Sequence, residues 1–499
     1  MKAKPLPLIS VLAAGLEDTL RDENIWWRGE RQFGLPDMRR WAFDSVMKGL
    51  KHGLTPITVL RGPRQIGKTT LLNQIIDSLL SEGVAPSRIF RVQFDELPAL
   101  RNVEQPILEL CRWFSQEILQ KSFNQAAHDG QQAYIFLDEV QNLPDWAPQV
   151  KHLVDLNPVR VVVTGSSALR IEAGRDSLAG RITTLEMGPL LLREIASLRN
   201  FEQVPPFLAV NGLGPLRSKA FWQQLRLHGE THRDARHQAF GAFSERGAYP
   251  VTHTRADRPW EEVADFLRET VIRRAIQHDL RMGPRGQKRD EHLLEEVFRM
   301  ACRYAGQSPS QALYLDELRR AMNANIGWQR VLAYLKFLDG TLLVRLIEPL
   351  ELRLKKRRGA ARLCLCDHAL RAAWLQEVIP LTDDELQKSP HLSDMAGRIA
   401  ESVAGYFLRS IIGLEVAHFP ERAAEPEVDY VLTIGEQRIP IEIKYRRRIS
   451  HEDTHGLRSF MEKSHYNAPF GILVTLLDEE ASNDPRIISL PLSTLLLLR

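Results

Sequence analysis

Apolar and polar positions change period along this chain, and the changes mark its regions. Between residues 57 and 165 there are four short runs of apolar, often β-branched residues: ITVLR (57–61), RIFRVQF (88–94), AYIFLD (133–138) and VRVVVTG (159–165). Between them lie stretches whose apolar positions recur every three to four residues, at LLNQIIDSLL and near 104–121 and 146–156. Continuous apolar runs are what parallel strands buried on both faces look like, and the intervening helices would supply the cover. After GPLLLREI (188–195) the strand pattern fades, and Pro205, Pro206, Gly212, Gly214 and Pro215 mark a linker or loop. Helical periodicity returns from Glu261 to Ala305. From about Ala369 the pattern is mixed, with a helix at GRIAESVAGYFLRSI, strands at VDYVLTI and RIPIEIKY, a helix at LRSFMEKS and a strand at GILVTLL.

Between these regions, YLDELRRAM, NANIG and WQRVLAYLKFLDG predict helix, turn, helix. LLVRLIEPL and ARLCLCD follow as strands around the basic turn LRLKKRRGA, which is the order of a winged helix-turn-helix. The predicted class is therefore α/β: a parallel sheet covered by helices, a helical and winged-helix region, then a second α/β domain. The expected divisions are 1–40 as an N-terminal extension, 41–200, 201–300, 301–366 and 367–499.

Composition narrows the class without naming a task. At roughly 100–200 residues per domain, 499 residues require several domains. A 44% hydrophobic and 26% charged content excludes disordered and fibrous chains. The 66 Lys and Arg nearly balance the 63 Asp and Glu, so any nucleic-acid site must be a local patch. No run approaches the ~18 apolar residues of a membrane span, and the expectation is a cytoplasmic protein without a membrane partner. The four cysteines fit a reducing compartment, with Cys364 and Cys366 on one strand face as small buried hydrophobes. His228, His232 and His237 share a helical spacing but lack the further ligands a zinc site needs.

The first candidate chemistry is a phosphate-binding loop. Gly62, Pro63, Arg64, Gln65, Ile66, Gly67, Lys68 and Thr69 fit GxxxxGK[ST], followed by Thr70, between a strand and a helix. The two glycines let backbone amides close on phosphate oxygens, Lys68 reaches the β and γ phosphates, and Thr69 offers its hydroxyl to Mg²⁺. At the end of YIFLDE, Asp138 is placed to complete the metal sphere and Glu139 to position water. The next strand ends in Thr164-Gly165-Ser166-Ser167, where a polar residue, with Ser166 the choice, is a candidate γ-phosphate sensor. Arg175 and Arg181 are candidate arginine fingers, acting in cis or across a subunit boundary. One strand intervenes in sequence between loop and acidic pair, and the pair ends in Glu. Both features resemble the additional-strand, catalytic-glutamate division of P-loop ATPases, and the absence of a guanine-specifying NKxD favours ATP.

RGPRQIGKTTLL, YIFLDEVQNLPDW, VVVTGSSA, SLAGR…MGPLLLREI and FSERGAYP together resemble a prokaryotic family of AAA-type ATPases. Its members join an N-terminal ATPase domain to a C-terminal region with a winged helix and a nuclease-like fold. The resemblance implies ATP with Mg²⁺ and leaves the biological task open. Near the C-terminus Asp429, then Glu442 and Lys444 on the next strand, resemble the PD-(D/E)XK nuclease core, and Glu401 on the preceding helix matches its extra acidic residue. That resemblance implies Mg²⁺ or Mn²⁺ on Glu401, Asp429 and Glu442, with Lys444 catalytic. The alternative is the same fold kept as a binding module, its acids and Lys444 forming structural ion pairs.

Two basic clusters complete the reading. Arg353, Lys355, Lys356, Arg357, Arg358 and Arg362 would lie on the wing, and Gln329, Arg330 and Lys336 on the helix facing the major groove. Tyr445, Arg446, Arg447 and Arg448 follow Lys444 directly. The expected function is an ATPase acting on DNA, its ATP cycle gating a nuclease-type domain, in defence against foreign DNA or genome maintenance. The alternative is an ATP-driven regulatory or oligomerisation switch with inert C-terminal modules and a homo-oligomeric or protein partner.

Overall fold

Five strands with few polar interruptions assemble first. They are β1 (Ile57–Arg61), β2 (Ile89–Gln93), β3 (Tyr134–Asp138), β4 (Arg160–Gly165) and β5 (Ile182–Glu186). All pairings are parallel and the order is β2-β3-β4-β1-β5. The computed structural model describes residues 14–95, 100, 103–143, 145–165, 178–208, 212–276, 290–352, 355–356, 359–421, 425–479 and 481–499. The described chain forms two compact units, one from residues 1–62 and 67–187, the other from 63–66 and 188–499.

In the first unit, β1 to β4 are buried almost throughout, as their apolar runs predict, whereas ITTLE at the β5 edge is mostly part-exposed. β2 precedes β3 in sequence but takes the other edge, so the strand interposed in space between β1 and β3 is β4. Within residues 1–40, expected as an N-terminal extension, the described part from residue 14 to 28 lies along the β2 edge. A helix, Ala14–Glu23, and a turn, Ile25–Arg28, lie there. Trp26 and Trp27 each donate their indole N–H to the Ile89 carbonyl, at 3.1 and 3.0 Å. Asn24, fully buried, pairs with Arg91 like a one-residue strand: its Nδ2 donates to Arg91 O at 2.9 Å and its Oδ1 accepts from Arg91 N at 2.7 Å. An edge strand is thereby satisfied without a further strand. Behind it Trp27, Phe90, Trp113 and Phe114 stack, with Phe90 and Phe114 4.7 Å apart.

The second unit holds all three segments expected downstream of the ATPase region. Helices Glu291–Arg303, Gln311–Met322 and Trp328–Gly340 are followed by an antiparallel pair, β6 (Val344–Ile347) and β9 (Arg362–Leu365). Within that pair lies the short hairpin β7 (Glu351–Leu352) and β8 (Lys355–Lys356). Asp290 and Ser310 cap the first two helices by accepting from Leu293 N and Leu313 N.

A second five-stranded sheet runs in the order β10 (Glu415–Phe419), β11 (Val428–Ile434), β12 (Gln437–Lys444), β13 (Gly471–Thr475), β14 (Ile487–Pro491). The first three strands are antiparallel and the last three parallel. Gly435, at φ 63°, makes the tight β11–β12 turn that a side chain would strain. Helix Ser393–Arg409 packs on β9 and the sheet. The segment from β14 through Leu498 is buried against helices Lys219–Thr231 and Arg233–Arg246. The contact is close enough that a Cβ on Gly229 would sit 2.3 Å from Thr494 Oγ1. Leu208 N donates to Leu498 O at 2.7 Å. Among the described residues no helix is long and apolar enough to cross a membrane.

Candidate functional site

In a parallel sheet all strands end on the same side, so the loop after β1 and the acidic pair after β3 meet there. β1 ends at Arg61, whose guanidinium pairs with Glu186 at the end of β5, 2.7 Å away. Two positions of the following loop have left-handed backbone, Gln65 at φ 63° and Gly67 at φ 88°. Gly67 has open space around its missing Cβ, so the backbone angle, and not crowding, calls for glycine. Helix Lys68–Ser81 begins immediately afterwards.

Lys68 is buried, and its Nζ donates to Gly62 O at 3.1 Å and lies 3.7 Å from Glu139 Oε1. Thr69 Oγ1 donates to Asp138 Oδ2 at 2.8 Å. Asp138 is fully buried on β3, and Arg91 on neighbouring β2 donates to its Oδ2 at 3.3 Å. Thr164, at the end of β4, links the acidic pair. Its hydroxyl donates to Asp138 Oδ1 and accepts from Glu139 N, the latter at 3.0 Å. Glu139 itself has left-handed backbone, φ 55° and ψ 42°, which turns its carboxylate out of the strand register, and Gln141 Nε2 holds Glu139 Oε2 at 2.5 Å. The structure thus brings together Lys68, Thr69, Asp138 and Glu139, the residues whose side chains the motif reading places at phosphate, Mg²⁺ and water. Sequence reasoning missed Arg91 and Gln141, and it placed Thr164 only within the run sought as a sensor. The signals were a single Arg in a mostly apolar strand and a polar residue two positions after Glu139.

Other expectations fall elsewhere. Ser166 and Arg175 lie outside the described residues. Arg181 is not brought to the loop: its carbonyl accepts from Ile57 N, at the start of β1, so it sits at the opposite end of the sheet from Lys68. There its guanidinium holds Asp155 through two bonds, at 2.5 and 3.2 Å.

The second constellation also assembles, around a residue assigned to the wing by sequence. Arg362 is buried, with its side chain 4% exposed, and not on a solvated turn. Its Nη1 donates to Asp429 Oδ1 at 2.8 Å and to Glu401 Oε2 at 3.0 Å, and its Nη2 to Glu427 Oε1. The guanidinium carbon lies 5.4 Å from the centre of the Tyr430 ring. Asp429 Oδ2 accepts from Ile443 N at 2.8 Å, and Lys444 Nζ donates to Glu442 Oε1 at 2.6 Å. Burial, reinforced by the charge of Asp429, raises Glu401 well above the usual carboxylate range and Glu442 to about 8. Burial works against the charge of Arg362, but Asp429, Glu401 and Glu427 keep it cationic. Of the expected divalent-ion ligands, Glu401 and Asp429 therefore meet a guanidinium, and Glu442 pairs with Lys444. Among the described residues no group of His, Cys, Asp or Glu is arranged to hold a metal ion.

The basic residues are partly engaged. Arg330 is exposed and pairs with Asp290 at 3.1 Å, while Arg446 and Arg447 pair with Asp453 and Asp383. Gln329, Lys336 and Arg448 are exposed. Lys355 and Lys356 form β8, and Arg353, Arg357 and Arg358 lie outside the described residues. His228 and His232 pack edge to face, whereas His237 joins Asp478. Cys364 and Cys366 are buried thiols.

Residues 54–196 match the family model described as an AAA domain, and residues 396–495 match a domain of unknown function (DUF4143). With the loop geometry above, the first unit carries a P-loop domain of AAA type. An uncharacterised protein of Mycobacterium tuberculosis is 30% identical over 162 residues, covering 32% of this chain and 30% of that protein. An uncharacterised protein of Methanocaldococcus jannaschii is 28% identical over 162 residues, covering 32% of each chain. The match thus spans about a third of the length of these relatives. Among solved structures, the Walker-type ATPase of Pyrococcus abyssi is similar at a TM-score of 0.42 and 14% identity, covering 68% of this chain and 98% of that one. Cdc6p of Pyrobaculum aerophilum is similar at a TM-score of 0.26 and 12% identity, covering 69% and 95%.

Proposed function

We propose that this protein binds and hydrolyses ATP with Mg²⁺ and uses the cycle to control C-terminal modules that bind DNA. The observation that carries the ATPase reading is the convergence of Lys68, Thr69, Asp138 and Glu139 at one end of the sheet. Mg²⁺, when bound, offsets charge on the transferring phosphoryl group. Thr69 Oγ1 and Asp138 Oδ2, already 2.8 Å apart, are the groups placed to hold it. Lys68 shares its ammonium between Gly62 O and Glu139, so phosphate oxygens compete for it and loosen Glu139. Glu139, held by Gln141 and by Thr164 at its backbone, is then positioned to take a proton from water. Arg181, turned away from this loop, could serve only a neighbouring copy, so a role for it requires assembly.

The DNA reading is supported by three helices followed by an antiparallel pair with a Lys-rich inner hairpin, the order of a winged helix. The fold of the last 130 or so residues is read as nuclease-like, but Arg362 among its acids favours the binding-module alternative over the expected cleavage by Asp429, Glu442 and Lys444. The test is ATP binding and turnover in three proteins. Lys68→Ala should lose nucleotide binding, whereas Glu139→Gln should bind ATP and hydrolyse it at least ~10²-fold more slowly. Wild-type turnover in Glu139→Gln would refute the assignment. Salt-dependent DNA binding that Lys355→Ala/Lys356→Ala does not weaken would refute the wing reading.

A further inference from the structure

The acids of the second constellation have the residue types of a divalent-ion site, and their geometry argues against one. Asp429 Oδ1 and Glu401 Oε2 both point at a single nitrogen, Arg362 Nη1, at 2.8 and 3.0 Å. Mg²⁺ holds its ligand oxygens at ~2.0–2.1 Å, so an ion shared by these two atoms would sit against a guanidinium of like charge. Of the remaining oxygens, Asp429 Oδ2 is committed to the backbone of Ile443 and Glu442 Oε1 to Lys444, while Glu442 Oε2 is buried without a hydrogen-bond partner.

Nor is Arg362 free to swing away, because its side chain is 4% exposed and the strand that carries it is held by several neighbours. Its strand β9 pairs with β6. Gly306 N donates to Leu363 O at 2.7 Å, Leu363 N to Gln307 O at 2.9 Å, and Leu365 N to Ser402 Oγ at 2.9 Å. Helix Ser393–Arg409 approaches so closely that a Cβ on Gly405 would lie 2.4 Å from Tyr430 Oη and 2.5 Å from Cys364 Sγ. Tyr430 Oη in turn donates to Glu401 O at 2.7 Å, tying the helix to β11 beneath the guanidinium.

We infer that Arg362 is the resident cation of this cluster, taking the place of a divalent ion and latching the β6–β9 pair to helix Ser393–Arg409 and strand β11. The C-terminal α/β domain is then a metal-free module. Its arginine makes at once the charge compensation and the cross-links that a bound ion would otherwise make. Breaking a buried ion pair by removing one partner is costly, because it strands the charges left behind.

The inference is independent of ATP hydrolysis and is tested on the full chain without nucleotide. Free Mn²⁺ is followed by electron paramagnetic resonance during titration of the wild type, Asp429→Asn and Glu442→Gln. Equal Mn²⁺ uptake by all three is expected. One equivalent more in the wild type than in either variant would overturn the proposal. Arg362→Ala should gain one Mn²⁺ equivalent over the wild type and lose it again in Arg362→Ala/Asp429→Asn. A folded Arg362→Ala protein, judged by circular dichroism, that gains none would equally overturn it. Should Arg362→Ala fail to fold, the first comparison decides.

Discussion

Replacing Asn24 by Ala tests whether the N-terminal segment is a working part of the P-loop unit. Asn24 is fully buried and its amide makes three hydrogen bonds: Nδ2 to Leu20 O at 2.8 Å, Nδ2 to Arg91 O at 2.9 Å, and Oδ1 from Arg91 N at 2.7 Å. At about 1 kcal/mol net for each, their loss costs about 3 kcal/mol. More follows if the Arg91 amide and carbonyl stay dry. The cost should appear locally, as opening of the β2 edge, so hydrogen exchange read by mass spectrometry on peptides covering residues 86–95 is the suitable assay. A loss of about 3 kcal/mol corresponds to roughly 10²-fold faster exchange there. Peptides covering β13 and β14 in the other unit should be unchanged. Because Arg91 also reaches Asp138, ATP turnover should fall in the same variant. Exchange in residues 86–95 within about threefold of wild type would refute the claim that Asn24 seals this edge.

Two other predictions concern single buried groups. Thr164→Val keeps the side chain's shape but strips Asp138 and Glu139 N of their shared partner, so it should cost about 1–3 kcal/mol in a urea melt and slow ATP hydrolysis, with Thr164→Ser restoring both. His253 is buried, which lowers it to about 4 despite its bond to Gly247 O, with Arg199 and Arg246 adding to the fall. The folded protein holds this imidazole neutral, so its contribution is complete above the unfolded value of about 6.5 and is lost as pH falls toward 4. Unfolding free energies from urea melts at pH 7.5 and 4.5 should therefore differ by about 3 kcal/mol more in the wild type than in His253→Gln. An equal pH dependence in the two proteins would refute the assignment.

The phosphate loop was legible because its mechanism fixes residue types at short chain spacing, and β1 to β4 because buried parallel strands carry continuous apolar runs. β5 escaped notice because ITTLE at an exposed edge has no such run, and β10 because EVAHF carries polar residues at two of five positions. Ser166 was expected as the polar residue after β4, whereas Thr164, two positions earlier, links the acidic pair. Arg362 shows a different limit. Its neighbours in sequence read as one cationic turn, and the acids that capture it lie 39 and 67 residues away, so only the folded sheet reveals which arginine is inside. The carboxylates and Lys444 were readable by type and spacing, but their charge balance was not, because balance depends on everything that reaches the site.

The burial of residues 487–498 against helices Lys219–Thr231 and Arg233–Arg246 bears on how the molecule is made. Everything the first unit needs, apart from four loop residues, has left the ribosome once residue 187 has emerged, so its sheet can close during synthesis. The second unit cannot. Helix Lys219–Thr231 and the close approach at Gly229 wait for Thr494 and its neighbours, about 270 residues later in translation. For that interval the face of helix Lys219–Thr231 that meets β14 and the C-terminal segment stands without its native cover, so this unit can close only after that segment is synthesised.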